Sequence, residues 1–376
     1  MGDLERTNHD LVQDQKKLKE GYAELDRTNR DLLRDQKKKD IECQVRIHRL
    51  EDDLELAHGD YEELVRNQQE ASFKQMSKGR WLPMEDITVV CKLDGIKREI
   101  RSWARAAAVK STEILEKVDR PELSGLLESL SHVAVLENRQ LPRGLSTPKS
   151  PALLLNALLA HHLYTTIFRS PFFFLVDARG NDSCQAGGFE LLRWIYEQAQ
   201  NSNAEDAHNW RSQTLRLLLP APGTNSTEGE SRLHISSMQI IADVSQTQAS
   251  NFVELGSARY LLDPSSNHEE MKTKLRDIYQ DAANLSCCLW TQKTTLECCT
   301  LQEMQRLKNL AFDADSEYLK PHTLVRYDEH EDHLKGRPIT LIVHPLLLAY
   351  GTDEGKDYGS KRIWASAEVW LDSKSG

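Results

Sequence analysis

The chain has 376 residues with only 18 Gly and 12 Pro, a low loop-forming content that predicts a mainly helical protein. Its net charge of −10 provides no global positive field to attract a phosphate backbone, so nucleic acid is not an expected partner. Seven cysteines are far too sparse for a disulfide scaffold and no charged-then-apolar leader is evident, which predicts a reducing, cytoplasmic setting.

The N-terminal segment carries an internal repeat. Residues Leu4 to Lys17 recur as Leu25 to Lys38, identical at 10 of 14 positions at an offset of 21 residues. That offset is three heptads, so Leu4, Leu11, Leu18, Leu25 and Leu32 fall on one seam of a left-handed supercoil, at d. The a positions are Asn8, Gln15, Tyr22, Asn29 and Gln36, a half-polar set that favours parallel two-stranded pairing and lowers its stability. A second register runs through Cys43, Ile47, Leu50, Leu54, Ala57, Tyr61 and Leu64, four residues out of phase, which is a stutter. Interspersed charges and the absence of proline before Pro83 support one long helix. The spacing therefore predicts a coiled coil over residues 1–78, with Leu4, Leu11, Leu18, Leu25, Leu32, Leu50, Leu54 and Leu64 as its oligomerisation residues.

A different composition opens at Trp81, and residues 79–376 are long enough for a helical globular domain. Asp86 is placed to cap a helix whose apolar face is Leu93, Ile96, Ile100, Trp103 and Ala107. Further helices are predicted over Pro121–Leu136, Pro151–Phe168, Phe189–Gln200, Ser236–Leu262 and His268–Trp290. The most apolar stretch, Ala152 to Val176, is broken by Asn156, His161, His162, Arg169 and Pro171, so it reads as buried core and no membrane span is expected. A disordered loop is predicted near residues 220–231, and the tail reads as a small β-hairpin over 338–372, with strands Ile339–His344 and Ile363–Leu371 around the turn Gly351–Gly359.

Trp81 and Pro83, the run Ile100-Arg-Ser-Trp-Ala104, Pro171-Phe-Phe-Phe174, and Val343-His-Pro345 followed by Gly351 resemble a group of uncharacterised helical proteins of filamentous fungi, often preceded by coiled coil. The resemblance covers Trp81 to Leu371 on dispersed residues. It implies no activity, cofactor or partner, and it transfers no catalytic residue.

Chemistry-bearing clusters read as structural. His322, His330 and His333 stand among acidic residues without HExxH spacing, and vicinal Cys287-Cys288 and Cys298-Cys299 lack the spacing of a zinc site, so no metal is expected. Lys97, Arg101 and Arg105 form a basic stripe at i, i+4, i+8 that reads as a solvated or intramolecular face. His161-His162 read as core histidines. No phosphate loop, nucleophile elbow or dinucleotide fingerprint is found, so neither a catalytic residue nor a cofactor is assigned. Alternation along Ile363–Leu371 places Trp364 and Trp370 together on one strand face, a candidate partner face. These readings converge on a non-enzymatic oligomerising scaffold or adaptor that self-associates and binds another protein. The alternative is an enzyme whose catalytic residues are dispersed.

Overall fold

The computed structural model describes residues 2–77, 83–110, 120–136, 140, 145, 150–175, 186–220, 226–254, 256–266, 268–306, 311–328 and 331–371. The chain divides into two units, Met1–Ser77 and Lys78–Gly376.

The first unit is a single helix, α1 (Gly2–Ser77), of 76 residues, about 110 Å long at the standard rise. It passes through the stutter without interruption. Ion pairs one turn apart, such as Arg30 with Asp26 at 2.7 Å, line its surface; each contributes about 0.3–0.5 kcal/mol. Every side chain from His9 to Leu64 is exposed.

The second unit is helical over most of its length and carries β-structure towards its C-terminus. Its helices are α2 (Asp86–Ala107), α3 (Arg120–Leu130), α4 (Ser150–Leu163), α5 (Ala186–Ser202), α6 (Ala204–Leu218), α7 (Glu228–Glu254), the short α8 (Gly256–Arg259) and α9 (His268–Trp290). The apolar stripe of α2 is buried as its spacing predicts, including Leu93, Ile96, Ile100, Trp103 and Ala107. It packs on α4, whose run Leu153 to Ala160 is buried on all sides. The expected helix over Pro151–Phe168 continues past Leu163 as a π-turn, Tyr164–Phe168. There the hydroxyls of Thr165 and Thr166 donate back to the His161 and His162 carbonyls, local bonds that compete with the helical ladder.

Among the described residues six strands follow: β1 (Thr295–Cys299), β2 (Leu319–Pro321), β3 (Ile339–His344), β4 (Leu346–Tyr350), β5 (Lys361–Ala365) and β6 (Ala367–Leu371). Short helices α10 (Leu301–Arg306) and α11 (Thr323–Asp328) lie between them in sequence. The predicted hairpin is thus divided and enlarged. Both of its arms break, one at Pro345, which has no N–H for the ladder, the other at Ser366. Pairing consequently moves from one sheet, ordered β1-β4-β5, to a second, ordered β2-β6-β3. Among the described strands only β2 and β6 run parallel.

One large apolar core joins the helices to the inner sheet residues Leu341, Val343, Leu347, Ala349 and Trp364. A smaller one, built from Phe312, Leu319, Ile342, Leu348 and Val369 among others, lies against the other side of the strands. The α9–β1 connection is held by Arg211 of α6, which is fully buried. Its guanidinium donates to the carbonyls of Trp290, Gln292 (2.6 Å), Lys293 (3.2 Å) and Thr294 (2.9 Å). The ring of Tyr358 closes this connection from the other side, its hydroxyl donating to Lys293 O at 2.9 Å. That ring packs against Gly351, where φ is +83° and an added Cβ would stand 2.5 Å from it, so only glycine fits.

Several expectations need correction. α3 ends at Leu130, six residues short of Leu136, and α7 begins at Glu228, inside the stretch read as a loop. Residues 221–225 of that stretch lie outside the described residues. Asp86 does not cap α2: the N-cap is Glu85, with no side-chain bond, and the Asp86 carboxylate accepts from Arg362 Nη1 at 3.0 Å.

Candidate functional site

Two features stand out, one in each unit. On α1 the predicted seam is solvated: Leu11, Leu18, Leu25 and Leu32 are 60–62% exposed, and Leu50, Leu54 and Leu64 are 59, 74 and 64% exposed. Leu4 lies on the same helix, but its side chain is outside those described.

In the second unit Lys97 and Arg101 of the basic stripe of α2 turn inward against β6, while Arg105 stays exposed. Burying Lys97 requires a partner for its ammonium, and Nζ donates to Ser366 O at 3.1 Å. One turn on, Arg101 Nη2 donates to both carboxylate oxygens of Glu368, at 2.9 and 2.8 Å. Two histidines complete the cluster: His322 Nε2 is 3.7 Å from Glu368, and His344 Nε2 is 3.9 Å away.

Burial sets the charge states here. It pushes the Glu368 carboxyl up, with the Arg101 and Lys97 charges pulling it back, and it lowers the Lys97 ammonium. His322 is lowered to about 4 by burial and by the Arg101 and Arg105 charges. His344, fully buried, is lowered further by burial and by the Lys97 and Arg101 charges, so both imidazoles are neutral near pH 7. The Leu324 N–H donates to His322 Nδ1 at 3.2 Å. The proton of that neutral ring is therefore on Nε2, facing Glu368.

Beside this cluster lies a pocket of about 430 Å³. Arg101, Arg105 and Lys110 from α2 and its exit supply the basic wall, Ala152, Leu153 and Asn156 of α4 the floor, and His322 and Leu324 the far side. Arg105 makes no ion pair or hydrogen bond among the described residues, and the buried Asn156 leaves Oδ1 without a partner.

No family model, curated protein or solved structure matches this chain. The site's chemistry alone therefore carries its reading.

The structure separates the other residues that the sequence singled out. Trp364 is buried, 2% exposed, and its Nε1 donates to Asp86 Oδ1 at 2.8 Å under the start of α2. Trp370 is half-buried, packs against both cores and lies 5.7 Å ring to ring from His322. The break at Ser366 destroys the alternation that put the two indoles on one face, so they form no partner face. His330 lies outside the described residues, and His322 turns into the Glu368 cluster, away from the acidic segment around it in sequence. Among the described residues no three His, Cys, Asp or Glu side chains could share a metal ion, and no helix is long and apolar enough to cross a membrane. Cys287, Cys298 and Cys299 are buried free thiols, whereas Cys288 is exposed. His162 Nδ1 meets the Tyr279 hydroxyl at 2.6 Å within the helical core.

Sequence reasoning missed Glu368, His344 and Asn156 as members of one constellation. Glu368 lies 267 residues from Arg101, and no local spacing connects them. The one available signal was the density of cations on α2, which calls for a carboxylate once the helix is covered.

Proposed function

We propose that this protein is an oligomerising scaffold of the cytoplasm: α1 pairs with α1 of a second copy as a coiled coil, and the folded unit engages another protein. The exposed heptad seam is the observation that carries this reading. Seven leucines at seam positions are all at least 59% exposed, and burying each contributes about 1.5–3 kcal/mol. A second α1, with the same seam and the same interspersed charges, is a matched cover. The polar a positions subtract from this gain, so the pairing is weak, with dissociation at about micromolar concentration or above. Free thiols at all the described cysteines suit a reducing compartment.

The alternative, an enzyme, draws on His322 and Glu368 at the pocket wall. Both ring nitrogens of His322 face protein groups, Leu324 N–H and Glu368, so the ring aims no free lone pair at the pocket. That geometry favours binding over proton transfer.

Cys43 tests the pairing. It is exposed on α1 and lies on the seam, so a parallel in-register dimer sets the two Cys43 thiols within disulfide reach. Mild oxidation of the full chain should give a reducible covalent dimer that Cys43→Ser abolishes. A dimer band unchanged by that substitution, or no band at all, contradicts in-register pairing.

A further inference from the structure

We propose that the pocket between α2, α4 and α11 binds a small organic anion, with a carboxylate or phosphate head held by Arg105 and Arg101 and an apolar body lying along Ala152, Leu153 and Leu324. The pocket's volume of about 430 Å³ is within the range of small-molecule sites. Its lining divides by polarity in the way such a ligand requires: cations on α2, aliphatic side chains on α4 and α11.

The cations there are not used up by the fold. Arg101 spends a single nitrogen, Nη2, on Glu368, which leaves the rest of its planar fork unbonded among the described residues. Arg105, one helical turn further, is exposed at the rim with no carboxylate of its own. Among the described residues the acid hydrogen-bonded to this wall is Glu368, and Arg101 and Lys97 between them already balance it. Lys110 at the pocket's exit is shared with Asp263. The charge left over on the described lining is positive. It extends outward along α2 through Arg98, Ser102 and Arg105, which line a shallow groove beside the pocket and would steer an anion inward.

Asn156 supplies an independent observation. It is 2% exposed, lies in the pocket floor, and keeps Oδ1 without any donor. A buried amide oxygen left unpaired costs about 1–3 kcal/mol, a cost that a ligand carrying a hydrogen-bond donor removes. Two guanidinium groups, one buried amide and an aliphatic wall together define an amphiphilic acid.

Isothermal titration of the full chain tests this with phenyl phosphate and benzoate as anionic probes, benzamide as a neutral body and inorganic phosphate as a head without a body. The expected result is one site per chain for the anionic aryl probes, weaker binding of inorganic phosphate and none of benzamide. Arg105→Ala, at an exposed position, should weaken the aryl anions about ten-fold, the loss of one charge-assisted hydrogen bond. Benzoate and phenyl phosphate bring no donor to Asn156 Oδ1, so 4-hydroxybenzoate should bind several-fold more tightly than benzoate, and Asn156→Leu, checked for an unchanged far-ultraviolet spectrum, should abolish that preference. Absence of heat with either aryl anion, equal binding of benzamide, or unchanged affinity in Arg105→Ala would each overturn the proposal. None of these outcomes bears on pairing through α1.

Discussion

Arg211→Met should destabilise the second unit by about 4 kcal/mol, the scale of removing one partner from a buried charged network. The guanidinium is fully buried and donates to four carbonyls at and after the end of α9, those of Trp290, Gln292, Lys293 and Thr294. Hydrogen bonds from a charged donor contribute about 1.5–3 kcal/mol each, offset here by the cost of burying a cation without a carboxylate. Methionine fills much of the volume but donates to none of those oxygens, of which that of Lys293 keeps the Tyr358 hydroxyl as a donor. At roughly 2–4 °C per kcal/mol for a unit of this size, the melting temperature should fall by about 10 °C. Differential scanning calorimetry of the full chain reads this directly. Arg216→Met is the internal comparison: that side chain is only half-buried, with one of its bonds donated to Thr291 O at 2.9 Å, so its loss should cost less than that of Arg211. A shift below about 2 °C for Arg211→Met, or a larger effect for Arg216→Met, would refute the view that Arg211 anchors the α9–β1 connection.

Acid should destabilise the folded unit well before its carboxylates titrate. His161, His162, His208 and His322 are lowered from 6.5 to about 4, chiefly by burial, and His344 falls further. The unfolded chain then binds protons that the folded chain refuses, so stability is full above pH 6.5 and is lost as pH falls towards 4. Glu368, raised by burial, has the opposite sign but is a single group. The urea midpoint should therefore drop between pH 7 and pH 5 with a proton uptake greater than one; a flat midpoint would contradict neutral burial of these rings. Because the second unit holds both apolar cores, residues 79–376 expressed alone should retain a sigmoidal thermal transition near that of the full chain, and a broad, non-cooperative melt would show that α1 contributes to the core.

Periodicity made the helices legible. Leucines at every seventh residue led to α1, and the 4-3-4 spacing of Ile96, Ile100, Trp103 and Ala107 led to α2 and its buried face. The strand Ile339–His344 was legible from its β-branched run. The strand pattern after Ile363 misled because Ser366 interrupts it, and a one-residue irregularity reverses the faces of everything beyond. β1 and β2 were invisible for a different reason: Thr295–Cys299 and Leu319–Pro321 are short and become strands only by pairing with distant partners. The polar cluster at Glu368 depends wholly on such long-range placement. A basic helix face is read equally as solvated or covered until the element that covers it is known.

The decisive measurement is sedimentation equilibrium of the full chain across a concentration series, repeated on a variant with Leu18→Asp and Leu25→Asp. The scaffold reading predicts reversible association for the parent, with a dissociation constant of about micromolar or weaker, and a monomer at every concentration for the variant, since two seam leucines become charges without disturbing the second unit. A parent that remains monomeric at high concentration, or a variant that associates as the parent does, would contradict it.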